Sequence, residues 1–212
     1  MDAEKIIREI VALDQKIAEL RDRFDDLPVE ERAAALEAAM KSALDEVGED
    51  DPVPLALVRC ADLLYGLADR AAQILAGGLE HPSTEVRHLC GECLLDLADE
   101  GVETVAPAIE RALASGGQMA REMPFILALT EEEAAVPYIE RFLELEDPEA
   151  VAGAIESLAD LESVESAAAI RKLVGDGRTV TLDEDADGDE EWTVGQLAEE
   201  ALEVLESAEE EG

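Results

Sequence analysis

Apolar residues recur every three or four positions along most of the chain, which is the spacing of one face of an α-helix. The first stripe predicts a long helix over 2–24, with its apolar positions at Ile6, Ile7, Ile10, Leu13, Ile17, Leu20 and Phe24. Pro28 fits the first turn of a second helix that runs to about Val47. Residues 1–50 are therefore expected to form an N-terminal helical pair that caps the rest of the chain.

From residue 51 onwards, the pattern predicts pairs of helices separated by glycine or proline. The four predicted pairs cover 55–66 and 67–76, 83–98 and 102–114, 118–129 and 132–145, and 148–161 and 163–174. A fifth first helix is predicted over 193–205, after an insertion at 176–191. Because one pair can bury only one face, neighbouring pairs must stack on each other. The prediction is an all-α fold with an array of helical pairs over 51–212.

A short skeleton of residue types repeats within this array. Segments 86–94 and 194–202 share the order Val, Leu, small residue, Glu, small residue, Leu. The first small position falls at Ala61, Cys90, Pro124, Ala154 and Ala198. Small residues three apart let helices approach closely, and the repetition predicts that Cys90 and Cys93 stand for buried alanines.

The alternative for the same stretch is a metal site formed by His88, Cys90 and Cys93, with His81 recruited. A structural zinc needs four ligands, and no second cysteine pair is present. Buried packing is therefore the favoured interpretation, and no metal ligand is assigned to this stretch.

The residues of this skeleton resemble HEAT repeats, in particular the short bacterial and archaeal HEAT-like repeats named after phycobilisome lyases. Their pattern is Asp-Pro, then Val-Arg, then two alanines three apart. His81–Leu94 is similar to it, and so is Asp147–Leu158 without the Val-Arg. The resemblance implies a right-handed α-solenoid in which Arg59 and Arg87 pair with an acid of a neighbouring repeat. It also implies that the second helices line a concave face, where the candidate partner surface is Glu103, Glu110, Arg111, Glu133, Glu140, Arg141, Glu162 and Arg171.

The charge of the chain narrows the classes of partner. With 54 acidic and 16 basic residues, the net charge is −38. Binding to DNA or RNA needs a basic patch, so nucleic acid is not expected as a partner. A basic protein or a cation suits the charge, and the same excess of acid suggests a high-salt or marine source.

Location and assembly follow from the same composition. No apolar run is long enough to cross a membrane, and acidic residues stand near the start where a signal peptide would be basic. Three cysteines do not form a disulfide framework. We expect a cytoplasmic protein, and a monomer.

The acidic segment 183–191 has two interpretations. Asp183, Asp185, Asp187 and Gly188 match four positions of a calcium loop of the EF-hand type, but Val194 stands where the last carboxylate ligand belongs. The favoured alternative is an exposed hairpin or loop, with a turn at Asp187-Gly188 between strands over 178–182 and 191–194. No cofactor is assigned. The candidates for weak calcium or magnesium binding are Asp183, Asp185, Asp187 and Asp189.

The expected function is a non-catalytic protein-interaction scaffold or adaptor. One alternative is an acidic inhibitor or immunity-type protein that masks a basic partner. A less favoured alternative is a modifying enzyme similar to bilin lyases, for which only Cys60, His81 and His88 are candidates. No catalytic residue is assigned.

Overall fold

The computed structural model describes residues 3–67, 69–182 and 190–211. Helices dominate this part of the chain: α1 (Ala3–Asp25), α2 (Val29–Asp45), α3 (Leu55–Leu64), α4 (Asp69–Gly78), α5 (Thr84–Ala98), α6 (Ala106–Ser115), α7 (Gly117–Ala128), α8 (Val136–Glu140), α9 (Pro148–Asp160), α10 (Ala167–Ile170) and α11 (Val194–Glu211). Two strands, β1 (Thr179–Leu182) and β2 (Glu190–Thr193), form a small antiparallel sheet. The prediction of a predominantly helical chain is confirmed.

The two N-terminal helices differ in how they pack. In α2, one face is buried in the core through Ala33, Leu36, Met40 and Ala43. The apolar stripe of α1 is exposed from Ile6 to Leu20, and Phe24 alone is partly buried against the core. The expected N-terminal pair therefore covers the core with its second helix.

The remaining helices contact each other in a regular order. Helix α3 contacts α5, α5 contacts α7, α7 contacts α9, and α9 contacts α11. On the other side, α2 contacts α4 and α4 contacts α6. The central helix α9 is buried at every position over 150–155, as expected for a helix with neighbours on several sides. Its Gly153 permits this packing, because a Cβ there would lie 2.9 Å from the Phe125 ring.

Three of the four predicted second helices are shorter than the sequence suggests. Each of these three begins with a 3₁₀ turn, at Val102–Val105, Glu133–Ala135 and Val164–Ser166. Pro107 and Pro137 then occupy the first turns of α6 and α8, where a missing N–H costs nothing. Proline fits the first turn of a helix better than its interior, and a new α-helix begins at each of these positions.

The insertion is anchored at its base to the last helix. In the sheet, Val180 pairs with Trp192; Val180 is buried, and Trp192 is partly buried against the core. Thr193 and Gln196 cap α11 reciprocally, since Thr193 N donates to Gln196 Oε1 (2.8 Å) and Gln196 N donates to Thr193 Oγ1 (3.1 Å). Strands at both ends of the insertion confirm the predicted hairpin in the part of it that the structure describes.

Arginines link consecutive first helices. Arg87 Nε donates to Glu122 of α7 at 3.2 Å, and the same guanidinium donates to the carbonyls of His81 and Pro82. Arg121 of α7 repeats the arrangement one step on, donating to Asp147 at 2.9 Å, the residue that caps α9. Arg87 thus pairs with an acid of the next first helix, as predicted.

Arg59 does not take part in such a link. It is exposed and pairs with Asp62 of its own helix at 3.3 Å. Arg59 precedes buried Ala61 by two positions, whereas Arg87 precedes buried Cys90 by three. One position is about 100° around a helix, so Arg59 points away from the neighbouring repeat, and the expectation for it was wrong.

A carboxylate at the packed side of α9 gives a testable pH dependence. Burial, with the nearby charges of Asp160 and Glu200, raises the pKa of Glu156. The ionised side chain therefore destabilises the fold at neutral pH. We expect Glu156→Gln to increase the free energy of unfolding at pH 7 by up to about 1 kcal/mol.

The sign can be checked by pH-dependent urea unfolding. The gain in unfolding free energy from Glu156→Gln should shrink as the pH falls through the raised folded-state pKa of Glu156. It should vanish below about pH 4.3, where the wild-type side chain is protonated in both the folded and the unfolded state. Glu203→Gln, at an exposed position of α11, removes the same charge and serves as the control. An equal gain in both variants would show that only net charge matters.

Candidate interaction surface

The cysteine and histidine side chains of α5 are used in packing and local hydrogen bonds. Cys90 is fully buried, and burial raises the pKa of its thiol to about 12. Burial also raises the pKa of Cys93, although a hydrogen bond from Tyr65 opposes this. Both thiols are therefore protonated at neutral pH and poorly nucleophilic.

The two histidines lie in different surroundings. His81 Nδ1 accepts from Ser83 N at 3.1 Å, and its Nε2 lies 3.2 Å from the carbonyl of Leu44 at the end of α2. This arrangement fits a neutral ring that donates from Nε2. His88 is exposed beside Glu92 of its own helix. Cys60 is partly buried, and burial raises the pKa of its thiol.

Metal ligands are not grouped in the part of the chain that the structure describes, where no three His, Cys, Asp or Glu side chains form a candidate site. The acidic candidates of the insertion, Asp183, Asp185, Asp187 and Asp189, lie outside the described residues. None of the described helices is both long and apolar enough to pass through a membrane.

Five of the eight residues predicted for the partner surface lie on the second-helix side, and they are tied to neighbouring repeats. Arg141 donates to both carboxylate oxygens of Glu110, at 2.7 and 3.0 Å, and lowers the pKa of that carboxyl group. Arg111 donates to the carbonyl of Gln73 at 2.8 Å. Glu140 accepts from buried Ser166 at 2.8 Å, and Arg171 lies 3.9 Å from Glu206.

This second-helix face therefore has its charges paired across the repeats. The groove between the third and fourth repeats, about 360 Å³ in volume, is lined by Glu140, Glu144, Arg141 and Lys172 together with apolar side chains. Acidic and basic groups are mixed there, so the face offers a partner little net charge.

The other three residues, Glu103, Glu133 and Glu162, lie in the turns between first and second helices. At these turns a groove of about 510 Å³ runs between the end of α7 and the end of α9. We call it the turn-edge groove, and its lining residues are Phe125, Ala128, Leu129, Glu131, Asp160, Leu161 and Glu162. A smaller depression of about 120 Å³ continues it and adds Glu132, Glu133 and Glu165.

The turn-edge groove combines an apolar floor with a rim of one charge. Leu129 is 66% exposed and Phe125 40% exposed. Its charged lining residues are all acidic, and no salt bridge involves them among the described residues. This arrangement suits a ligand that has both a bulky apolar group and positive charge.

Two rim residues also have an unusual backbone. Glu131 and Glu162 adopt φ values of 52° and 49°, in the left-handed region that non-glycine residues rarely occupy. At the corresponding turn of the preceding repeat, the residue with positive φ is Gly101. At two of these turns a glutamate thus occupies the positive-φ position, where a glycine would be less strained.

Two features of the sequence indicate this groove, although the helical periodicity alone does not. The run Met123–Leu129 is apolar without a break, which is more than one buried helix face requires. Acidic residues cluster directly after it, over 131–133. An uninterrupted run followed by acids is the pattern that would have indicated an exposed apolar floor.

Comparison with known proteins gives no family. No protein-family model and no curated protein matches the chain. One solved structure that is similar is an engineered protein, 15% identical over 91% of this chain and 97% of that chain, with a TM-score of 0.37. A similarity of this size carries no argument on fold or function.

Proposed function

We propose that the chain is a non-catalytic protein-binding module, a HEAT-like array whose turn-edge groove binds a basic, amphipathic segment of a partner protein. The observation that carries this proposal is the groove itself, with Leu129 and Phe125 exposed beneath the carboxylates of Glu131, Asp160 and Glu162. A few side chains that become fully buried near the centre of an interface contribute most of its binding energy. The acidic rim supplies attraction and orientation.

The two positive-φ residues of the rim end the first helices. Glu131 N donates to the carbonyl of Ala128 after α7, and Glu162 N donates to the carbonyl of Ala159 after α9, which are helix C-cap hydrogen bonds. Neither side chain makes an ion pair in the described structure, so both carboxylates can face a partner.

The array itself is supported by the order of helix contacts and by the arginine links. Arg87 and Arg121 each donate to an acid of the following helical pair, and Arg141 links the second helices in the opposite direction, to Glu110 of the preceding pair. A stack of pairs related by small rotations would have this regularity. It would present the turns of successive repeats along one edge.

The proposal can be tested with a phage-displayed library of random peptides, selected on the wild-type protein. Selected peptides should combine Lys or Arg with bulky apolar residues at helical spacing. Phe125→Ala/Leu129→Ala should weaken binding of a selected peptide at least about tenfold. Leu55→Ala, which truncates an equally exposed leucine elsewhere, should leave the affinity unchanged.

A second variant separates binding from folding. Glu131→Gly/Glu162→Gly relieves the positive-φ strain while removing two rim charges, so we expect unchanged or higher stability together with weaker binding. Selection of peptides without basic residues, or equal affinities for all variants, would contradict the proposed function.

A further inference from the structure

The exposed apolar stripe of α1 is the largest feature that the groove does not explain. Its large apolar side chains from Ile6 to Leu20 are between 37% and 60% exposed. In the described part of the chain, α1 makes no extended packing with any other helix. A small groove of about 340 Å³ at its base lies between Leu20, Phe24 and Leu63 of α3.

The spacing within the stripe is that of a two-stranded coiled coil. Ile6, Ile10, Leu13, Ile17, Leu20 and Phe24 alternate steps of four and three. This places them at successive a and d positions of a heptad, the seam that meets a second helix along its whole length. A helix of 23 residues is about 34 Å long.

Charge identifies the partner helix. Residues 3–25 contain five basic and six acidic residues, a net charge of −1, so −37 of the total −38 lies elsewhere. Two copies of so acidic a protein repel each other over most of their surface. They can approach along α1, where the charge is nearly balanced and the apolar seam is self-complementary.

We propose that α1 pairs with α1 of a second copy, and that the chain is thereby an antiparallel homodimer. A parallel pair would bring the two acidic bodies together at one end. It would also place Glu9 beside Asp14 and Lys16 beside Arg21 of the other copy, both like-charge contacts at e and g positions. The antiparallel pair places the bodies at opposite ends.

One antiparallel register satisfies both the seam and the charges. Ile6 meets Ile17 and Ile10 meets Leu13 of the other copy, and Glu9 then lies beside Lys16. Leu20 and Phe24 stay beside α3, where they line the basal groove. With Ile7 and Val11 at the margin, the contact covers on the order of 1,000 Å² in total, close to the lower bound for a specific interface.

The first test is the molar mass of the full chain in solution, by light scattering on a sizing column. We expect twice 22.8 kDa, with association stronger in about 1 M KCl than in 0.1 M, because salt screens repulsion between the bodies. Leu13→Glu and Ile17→Glu should give the monomer with an unchanged far-ultraviolet spectrum, since both side chains are exposed in the single chain. Leu55→Glu, equally exposed on α3, should remain a dimer.

A wild-type monomer at both salt concentrations would overturn the proposal. The apolar stripe of α1 would then have to bind a different protein. A dimer that survives Leu13→Glu would overturn it as well, because the contact would then lie elsewhere.

Orientation is tested by oxidative cross-linking, with the wild-type chain as control for its own three cysteines. Ile6→Cys alone should not cross-link, because the two positions are about 16 Å apart in the antiparallel pair. Ile6→Cys/Ile17→Cys should cross-link into a dimer. Efficient cross-linking by Ile6→Cys alone would show the parallel arrangement and refute the proposed one.

Discussion

Gly78→Ala is expected to lower the free energy of unfolding by about 3 kcal/mol, at the upper end of the range for overpacked cores. Gly78 ends α4 against α5, and a Cβ there would overlap Cys90 Sγ and lie 3.2 Å from Cys90 Cβ. Cys90 is fully buried, so its sulfur has no solvent to move into. The melting temperature should fall by roughly 6–12 °C in a protein of this size.

The adjacent glycine provides the matched control. A Cβ at Gly77 would lie 3.4 Å from the end of the Arg111 side chain, which can move. Gly77→Ala should therefore be neutral or slightly stabilising, because alanine is the better helix former. Equal losses from Gly77→Ala and Gly78→Ala would indicate a general intolerance of α4 to substitution and contradict the proposed clash.

Removing the sulfur should rescue the variant. Cys90→Ala alone is expected to cost about 1–2 kcal/mol through lost burial. Gly78→Ala/Cys90→Ala should be close to Cys90→Ala in stability, so that the two substitutions are strongly non-additive in a double-mutant cycle. Additive losses would show that the clash involves the backbone and not the thiol.

The fit between Gly78 and Cys90 explains why a cysteine stands at a position where the repeated sequence pattern otherwise has alanine. Ala154 and Ala198 occupy the small position elsewhere, and they too are fully buried. A cysteine is larger than an alanine, and Gly78 on the facing helix supplies the space. The sequence indicated that Cys90 is a packing residue, but the compensating glycine lies 12 positions away in another helix and follows no periodic rule.

Helix positions were predictable from the sequence because periodicity and breakers are local signals. The starts of α5, α7 and α9 agree with the expected ones within one residue, and the strands at the base of the insertion were expected too. The 3₁₀ turns before α6 and α8 were not expected, because Pro107 and Pro137 fit the first turn of a helix but do not reveal that a 3₁₀ turn precedes it.

The candidate surface was predictable only in part. Glu133 and Glu162 were predicted for a partner surface on the second-helix face, but they lie exposed in the turns. Glu110 and Arg141 were predicted for the same surface, but their side chains form an ion pair with each other between α6 and the end of α8. Whether two exposed charges meet depends on how repeats are stacked, which no spacing within one repeat reveals.

Arg87→Ala is expected to lower the free energy of unfolding by about 2 kcal/mol, the scale of hydrogen bonds to charged groups. The half-buried guanidinium donates to Glu122 at 3.2 Å, to the carbonyls of His81 and Pro82 at 3.0 and 2.9 Å, and to Thr84 at 3.1 Å. One side chain thus fixes the loop before α5 and links α5 to α7. Alanine would leave both carbonyls without this donor.

Arg59→Ala is the matched control, because it removes the same charge from the preceding first helix. Its exposed pair with Asp62, at 3.3 Å, should contribute no more than about 0.5 kcal/mol. Urea unfolding at two salt concentrations distinguishes the two roles: any small loss in Arg59→Ala should disappear in about 1 M KCl, whereas most of the loss in Arg87→Ala should remain. Equal losses in the two variants would mean that net charge, and not the link between repeats, sets the stability. Arg87 links α5 to α7 because it stands at the helical position that faces α7, and Arg59, offset by one residue, pairs within its own helix instead.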